Sequence, residues 1–333
     1  MFNKGLICSQ QGGPSMSVYS KGILRSVGRL IASVKESLPL LAADEQTRLS
    51  WLDVIRSYDE VPDIFRSSFE GLLSHSQFPY TVLTPSYAGF MNRENQKLVC
   101  CLDDKVCILE EITDTLTCTC YAVKDISYVE VGKALLQAWV KISGVADSGL
   151  PTTAEFKFNT VTEHLFAPVV TKIRSATDSS QGIEPSIEQS KFNFLTQENL
   201  KLMNYARRSI LPDEKVEYII LQPEIREEVL RLFGNSLFRT VYRSHLSILT
   251  NRELILIQEG TGKRWGEDVR YGGVFHYISL DKITSIALSE PENELLTMSV
   301  QLPNGDCIDS VFSVSNRQEV DRFLTHFGAI LEK

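Results

Sequence analysis

The sequence lacks any apolar run long enough to cross a membrane. No stretch approaches the roughly 18–20 apolar residues that span a bilayer, and no charged start is followed by an apolar signal-peptide core. With 43% hydrophobic and 23% charged residues, the composition matches an ordinary globular protein. These absences argue against disordered and membrane-spanning classes, and we expect a cytoplasmic protein.

Motifs of known catalytic chemistry are also missing. The sequence has no Gly-x-Ser-x-Gly nucleophile elbow and no Gly-x-Gly-x-x-Gly turn. Gly260-Thr261-Gly262-Lys263 fails as a phosphate loop because Ile257 stands where a glycine is required. The five histidines form no helical metal pair; they are residues 75, 164, 245, 276 and 326. The sequence therefore favours a protein without catalytic residues or a cofactor.

The chain has little basic charge. It holds 34 Lys and Arg against 42 Asp and Glu, for a net charge of −8. Residues 1–43 contain five basic residues and one acidic residue, so they carry +4 and the other 290 residues carry −12. An acidic protein repels nucleic-acid phosphate unless it has a basic patch. We expect no nucleic-acid partner.

Seven cysteines are present, and five fall within 21 residues. Without an export signal, reduced cysteines that pack as small apolar residues are the expected state. Structural zinc sites use Cys-x-x-Cys knuckles, which are absent here, so we expect no metal. If a metal were bound, its ligands would come from the cluster of Cys100, Cys101, Cys107, Cys118 and Cys120.

Composition and periodicity divide the chain into four parts. We predict that residues 1–43 form a leader and an amphipathic helix over 18–38. We predict that residues 44–173 form helices followed by strands. The small polar segment 174–190 reads as a linker, and 191–333 as a second set of helices and strands. Within that last part, we predict a helix over about 224–233 that stops at Gly234-Asn235.

The two halves share an internal repeat. Strand–turn–strand patterns and the apolar stripe of a final helix recur at offsets of 148 to 157 residues, and small loop insertions account for that spread. The matched pairs are Val61-Pro62-Asp63 with Leu211-Pro212-Asp213, 98–109 with 246–257, 123–127 with 280–284, and 166–173 with 320–327. This pattern predicts a duplicated unit of about seven strands, with a helix at its end.

The order of these elements resembles the pleckstrin-homology-like superfold. The segments 248–257 and 275–286 resemble the strand–turn–strand runs of bacterial members, and the resemblance covers about 235–330 and, more weakly, 80–175. It implies an α+β fold of two tandem β-barrel or sandwich units, each closed by a C-terminal helix, with additional N-terminal helices. Pro168 departs from the pattern because proline disrupts a helix interior.

Function is open between three readings. The first is a binding or scaffolding module for a protein or peptide partner, and a homo-oligomer is compatible with it. The second is a membrane surface or phosphate ligand bound through helix 18–38 and the loop 258–273; in this loop the resemblance implies contacts from Lys263, Arg264, Trp265 and Arg270. The third is an enzyme with a site between the units, built from Asp103, Asp104, His276 and Asp281.

Overall fold

The computed structural model describes residues 49–73, 77–88, 93–112, 115–175, 184–232, 235–260 and 271–331. The predicted leader and amphipathic helix of 1–43 lie outside these residues. The fold is mixed α+β, with mostly antiparallel sheets and few helices. No sheet within the described ranges closes into a barrel.

The first half, 49–175, contains ten strands and two helices. Its N-terminal elements are β1 (Asp53–Ile55), α1 (Asp63–Glu70), β2 (Tyr80–Leu83), β3 (Tyr87–Ala88), β4 (Arg93–Glu94), β5 (Lys97–Cys101), β6 (Lys105–Ile112) and β7 (Thr115–Ala122). A 3-10 turn (Val123–Asp125) then leads to β8 (Ile126–Ala134), β9 (Gln137–Val145) and β10 (Pro151–Asn159). A second 3-10 turn (Thr160–Leu165) precedes α2 (Ala167–Arg174).

The second half, 184–331, begins with three helices and continues with nine strands. The helices are α3 (Pro185–Ser190), α4 (Leu195–Glu198) and α5 (Leu200–Ser209), and the strands before the next turn are β11 (Val216–Gln222), β12 (Ile225–Leu232), β13 (Asn235–Tyr242), β14 (His245–Thr250), β15 (Glu253–Glu259) and β16 (Gly272–Ser279). After the 3-10 turn Leu280–Lys282 come β17 (Ser285–Leu288), β18 (Leu295–Gln301) and β19 (Cys307–Ser313). A last turn (Val314–Asn316) leads into α6 (Arg317–Leu331).

Strands of the two halves join in one seven-stranded sheet of order β10-β9-β8-β16-β15-β14-β11. The junction is the antiparallel pair β8–β16, in which Val131 lies opposite Phe275 and Tyr128 opposite Ile278. Because each strand covers the edge of the other, neither is left as an exposed edge. The other large sheets have the orders β1-β2-β5-β6-β7 and β17-β18-β19, and the halves together form one compact unit.

A close approach between β8 and β9 lies next to this junction. Gly132 on β8 lies opposite Trp139 on β9, and a Cβ atom built on Gly132 would stand 2.0 Å from the indole ring. Trp139 is 1% exposed. Only glycine leaves room for this ring, so the sheet keeps a glycine inside a strand despite its low strand propensity.

Each half ends in a helix, and the apolar side chains of that helix pack into the hydrophobic core of the same half. In α2 the buried residues are Val169 and Ile173. In α6 they are Val320, Phe323 and Phe327, and Leu324 packs partly buried against the same core. The i, i+3, i+7 spacing read from the sequence therefore identifies the buried face of α6 correctly.

The last elements of the two halves, in 123–174 and 280–331, follow the same order. Each half runs from a 3-10 turn to three consecutive antiparallel strands, a second 3-10 turn and a helix. The turn Val123–Asp125 and the turn Leu280–Lys282 stand at the 157-residue offset found in the sequence. The match of Val61-Pro62-Asp63 with Leu211-Pro212-Asp213 is different, since the first begins α1 and the second follows α5.

Several predicted elements need correction. The helix expected over 224–233 is wrong, because this segment is β12. The expectation that 44–173 begins with helices is also wrong in part, since the strand β1 precedes α1 in the described residues. Pro168 lies in the first turn of α2, where a missing N–H costs nothing, so it does not break the helix. The C-terminal part of the predicted linker forms α3.

Candidate interaction surface

In the hairpin β12–β13, none of the side chains that the structure describes, those of 225–231 and 236–242, is buried. Its two strands pair antiparallel, with Glu228 opposite Phe238 and Leu230 opposite Leu237. Within the described part of the chain, neither strand pairs with a third. Eight residues at about 3.3 Å each give strands roughly 26 Å long. The hairpin is thus a long two-stranded element that adds little to the core of the protein.

Four large apolar side chains of the hairpin face solvent. Val229 is 59% exposed, Leu230 48%, Leu237 63% and Phe238 55%. Leu230 and Leu237 are cross-strand neighbours, whereas the adjacent Phe238 points to the opposite face because side chains alternate along a strand. Apolar surface is therefore present on both faces. A concentration of exposed apolar side chains on one element is typical of interaction sites.

Charge is distributed unevenly along the hairpin. The acidic residues stand near its base, where Glu224 accepts hydrogen bonds from Arg226 and Thr240. Residues 229–239 contain Arg231 and Arg239 and no acidic residue. Arg231 Nε lies 3.9 Å from Glu228 Oε1, and Arg239 is the cross-strand partner of Glu227, so each of these arginines stands beside a glutamate.

The sequence contains signals for this hairpin that the prediction of a helix missed. Pro223 and Gly234-Asn235 fit the start and stop of a helix, but they also bracket a strand and its turn. The segment Leu237 to Tyr242, which follows the turn, is rich in β-branched and aromatic residues. Reading 224–233 together with this second run would have indicated two paired strands.

The predicted ligand-binding residues Lys263, Arg264, Trp265 and Arg270 lie in 261–270, outside the described residues. Among the described residues, an open recess of about 530 Å³ is lined by Lys201, Tyr205, Arg243, Glu259, Tyr271 and Gly272. Lys201 Nζ lies 3.5 Å from Glu259 Oε1. Burial, and then the nearby Glu259 carboxylate, raise the pKa of Tyr205. A carboxylate thus already faces a lysine in the recess, which does not favour an anion there.

The four residues considered for an enzyme occupy different surroundings. Asp103 and Asp104 are exposed in the turn between β5 and β6. Asp281, in the 3-10 turn Leu280–Lys282, accepts a hydrogen bond from Ser279 and forms an ion pair with Lys282. His276 lies in β16, with Nε2 3.5 Å from the Glu130 Oε2 atom of β8. Glu130 also accepts a 2.7 Å hydrogen bond from Trp139 Nε1.

A cleft of about 370 Å³ does lie between the halves. Asp281 and Lys124 line it, together with Arg174, Arg252 and Tyr277. Arg174 is the last residue of α2, and its guanidinium lies 3.8 Å from the Tyr277 ring centroid. The cleft brings Asp281 near other polar groups, but it does not include Asp103, Asp104 or His276.

Two acidic side chains, Glu253 and Glu214, lie close to the Arg174 guanidinium at this cleft. Nε donates to Glu253 at 3.0 Å, and Nη2 lies 3.5 Å from Glu214 Oε2. The side chains of all three residues are at least nine-tenths buried. Burial, and then the nearby Glu253 carboxylate, raise the pKa of Glu214 to about 9, so Glu214 is protonated at neutral pH. The cluster joins the first half to the second.

The cysteine cluster contains a disulfide. Cys107 on β6 and Cys120 on β7 are cross-strand partners and are bonded to each other, so the expectation of reduced cysteines is wrong for these two. The Cys118 Sγ atom lies 3.8 Å from Cys120 Sγ, and Cys118 is exposed. Cys100 is buried, and burial raises the pKa of its thiol to about 12. In the described ranges, no three His, Cys, Asp or Glu residues form a group that could hold a metal.

Neither membrane-spanning helices nor known relatives indicate a function for this chain. Among the described residues, no helix has both the length and the apolar character needed to cross a bilayer. No protein-family model matches the sequence. The search of curated proteins finds no significant match either.

Proposed function

We propose that this chain is a non-catalytic binding protein, made of two pleckstrin-homology-like units, that docks onto a protein partner through the β12–β13 hairpin. The observation that carries the proposal is the exposure of Val229, Leu230, Leu237 and Phe238 along one projecting element. A two-stranded hairpin is marginally stable by itself in water. A partner that covers this apolar surface would stabilise it.

The order of the elements supports the pleckstrin-homology-like assignment. In each half a sheet is followed by three antiparallel strands and a helix that packs on them. The hairpin occupies the connection between β11 and β14, and the short pair β3–β4 occupies the corresponding connection between β2 and β5. In this proposal, the connection between β11 and β14 in the second unit is longer than the corresponding connection between β2 and β5 in the first unit.

The charge distribution favours a protein partner over an anionic membrane. Outside residues 1–43 the chain carries −12, which opposes approach to an anionic lipid surface. Apolar side chains on both faces of the hairpin fit a groove that encloses it. Arg231 and Arg239 stand beside Glu228 and Glu227, so the hairpin offers charged groups of both signs to the rim of that groove.

The free energy expected from burying these four side chains is large enough for specific binding. Fully burying one such side chain contributes about 1.5–3 kcal/mol. The four side chains begin about half exposed, so together they contribute roughly 3–6 kcal/mol before the cost of association. Loss of two of them should therefore weaken binding strongly.

Site-specific photo-crosslinking tests the proposal. Benzoylphenylalanine is placed at Phe238 and, as a matched control, at Leu136, which is 68% exposed in the turn between β8 and β9. In cells of the native host we expect a discrete protein adduct from position 238 and none from position 136. Equal adducts at both positions, or no protein adduct at 238, would contradict the proposal. So would hairpin-dependent sedimentation with vesicles of phosphatidylcholine and phosphatidylserine.

A further inference from the structure

The cleft of about 370 Å³ between the halves is lined by one 3-10 turn from each half. Val123 and Lys124 belong to the turn of the first half, and Asp281 and Lys282 belong to the turn of the second. Arg252, also in the lining, follows the C-terminal end of β14, whereas the hairpin β12–β13 precedes its N-terminal end. A ligand in the cleft is therefore separate from a partner on the hairpin.

The lining of the cleft is positively charged, on a chain whose net charge is −8. The cations are Lys124, Arg174, Arg252 and Lys282, and the carboxylates are Glu253 and Asp281. Four cations and two carboxylates give the lining a formal charge of +2. A cleft with an excess of one sign of charge attracts ligands of the opposite sign.

The acidic groups at the cleft are already neutralised. Asp281 forms an ion pair with Lys282, and Glu253 forms one with Arg174. Glu214, whose Oε2 atom lies 3.5 Å from Arg174 Nη2, does not line the cleft. Burial, and then the nearby Glu253 carboxylate, raise the pKa of Glu214 to about 9, so it adds no negative charge at neutral pH.

Two cations of the lining, one from each half, are accessible from the cleft. Lys124 is exposed and Arg252 is half-buried. A lysine has three N–H donors and an arginine five, so each can donate to an anion in addition to other partners. The wall beside them has aliphatic surface from Val123 and Ile173, each 9% exposed. A largely apolar cleft of this volume with a few polar groups is typical of small-molecule sites.

We propose that this cleft binds a small organic anion, a carboxylate or phosphate ester joined to an apolar group, whose charged end accepts hydrogen bonds from Lys124 and Arg252. Such hydrogen bonds between charged groups are roughly twice as strong as those between neutral groups. The apolar group of the ligand contacts Val123 and Ile173. A cationic ligand does not fit, because the lining already carries an excess of positive charge.

Benzoate, benzyl alcohol and benzylammonium are matched probes, because each joins a benzene ring to a group of different charge. Each is titrated into the ¹⁵N-labelled full chain at neutral pH and constant ionic strength, and nuclear magnetic resonance follows the binding. We expect benzoate to shift the resonances of Lys124, Ser127 and Ser279 saturably, about tenfold or more tightly than benzyl alcohol. Benzylammonium should not bind.

Phenyl phosphate, titrated in parallel, distinguishes the two kinds of anion. Tighter binding than benzoate would identify a phosphate ester as the ligand, and weaker binding a carboxylate. Equal affinities for the anionic, neutral and cationic probes would overturn the proposal. Shifts that map elsewhere, or no saturable binding of either anion, would overturn it as well.

Variants of the two cations test the contacts. Lys124→Gln and Arg252→Gln should each lower the affinity for the bound anion about tenfold and leave that for benzyl alcohol unchanged. Arg322→Gln removes the same charge from the exposed side of α6, outside the lining, and should change neither affinity. Equal losses in all three variants would contradict direct contacts. If Arg252→Gln does not fold, Lys124→Gln, at an exposed position, still decides the question.

Discussion

Arg174 and Glu253 form a buried ion pair between residues 79 positions apart in the sequence. Arg174 ends the helix that closes the first half, and Glu253 begins a central strand of the second. The pair therefore couples the halves at the same end of the sheet where β8 begins and β16 ends. A buried ion pair contributes little net stability by itself, but its removal from one side leaves an uncompensated charge.

Arg174→Met should lower the free energy of unfolding by about 3–5 kcal/mol, because Glu253 would remain buried without its cation. Denaturant unfolding measures the change. Arg322→Ala is the control, since Arg322 pairs with Glu319 at the surface and such pairs contribute about 0–1 kcal/mol. Similar losses for both variants would show that the buried cluster does not couple the halves.

His245 should make the protein less stable in mild acid. Burial lowers its pKa to about 4 in the folded state, whereas the pKa is about 6.5 when the chain is unfolded. The unfolded chain therefore binds the proton first, and stability present above pH 6.5 is lost as the pH falls toward 4. The shift corresponds to roughly 3 kcal/mol. The loss should be absent in His245→Phe.

Glu214 affects the same measurement in the opposite sense. Its folded pKa is raised to about 9, so its contribution is present below pH 4.5 and is lost as the pH rises toward 9. The difference between the wild-type chain and His245→Phe at each pH removes this background. A difference that does not change between pH 7 and 4 would contradict the neutral, buried state of His245.

The denatured protein should titrate five free thiols without a reductant. The chain has seven cysteines, and Cys107 and Cys120 are joined. Ellman's reagent in denaturant, before and after reduction, gives the two counts. Seven thiols in the unreduced sample would show that the pair is reduced, as a reducing compartment would favour.

Phe323→Ala should destabilise the second half strongly. Phe323 is fully buried on α6, and truncation of a core phenylalanine costs about 3–5 kcal/mol. Arg322→Ala, on the exposed side of the same helix, should shift the melting temperature little. An unchanged melting curve for Phe323→Ala would identify α6 as a detachable element and remove a main support of the pleckstrin-homology-like proposal.

Local patterns in the sequence predict part of this fold well. The stripe of Val320, Phe323 and Phe327 identifies the buried face of α6, and Asn304-Gly305 marks the turn between β18 and β19. These features depend on neighbours within a few residues, so spacing and turn chemistry are enough to find them.

Features that depend on distant contacts could not be read in the same way. The pairing of β8 with β16 joins segments with no common local pattern, and the Cys107–Cys120 bond depends on the register of β6 against β7. The hairpin was missed for a related reason, because 224–233 has helix-like ends and only its partner strand shows that it is extended. Its exposed leucine and phenylalanine side chains follow from that pairing.

Affinity for the crosslinked partner is the most direct test of the hairpin's role. Calorimetric titration would compare the wild-type chain, the double variant Leu237→Ser/Phe238→Ser and the control Leu136→Ser. Because Leu237 and Phe238 are both more than half exposed, the melting temperature of the double variant should be preserved. We predict a loss of affinity of roughly 10- to 150-fold for the double variant and no change for the control. An unchanged Kd in the double variant, or an equal loss in Leu136→Ser, would contradict the account.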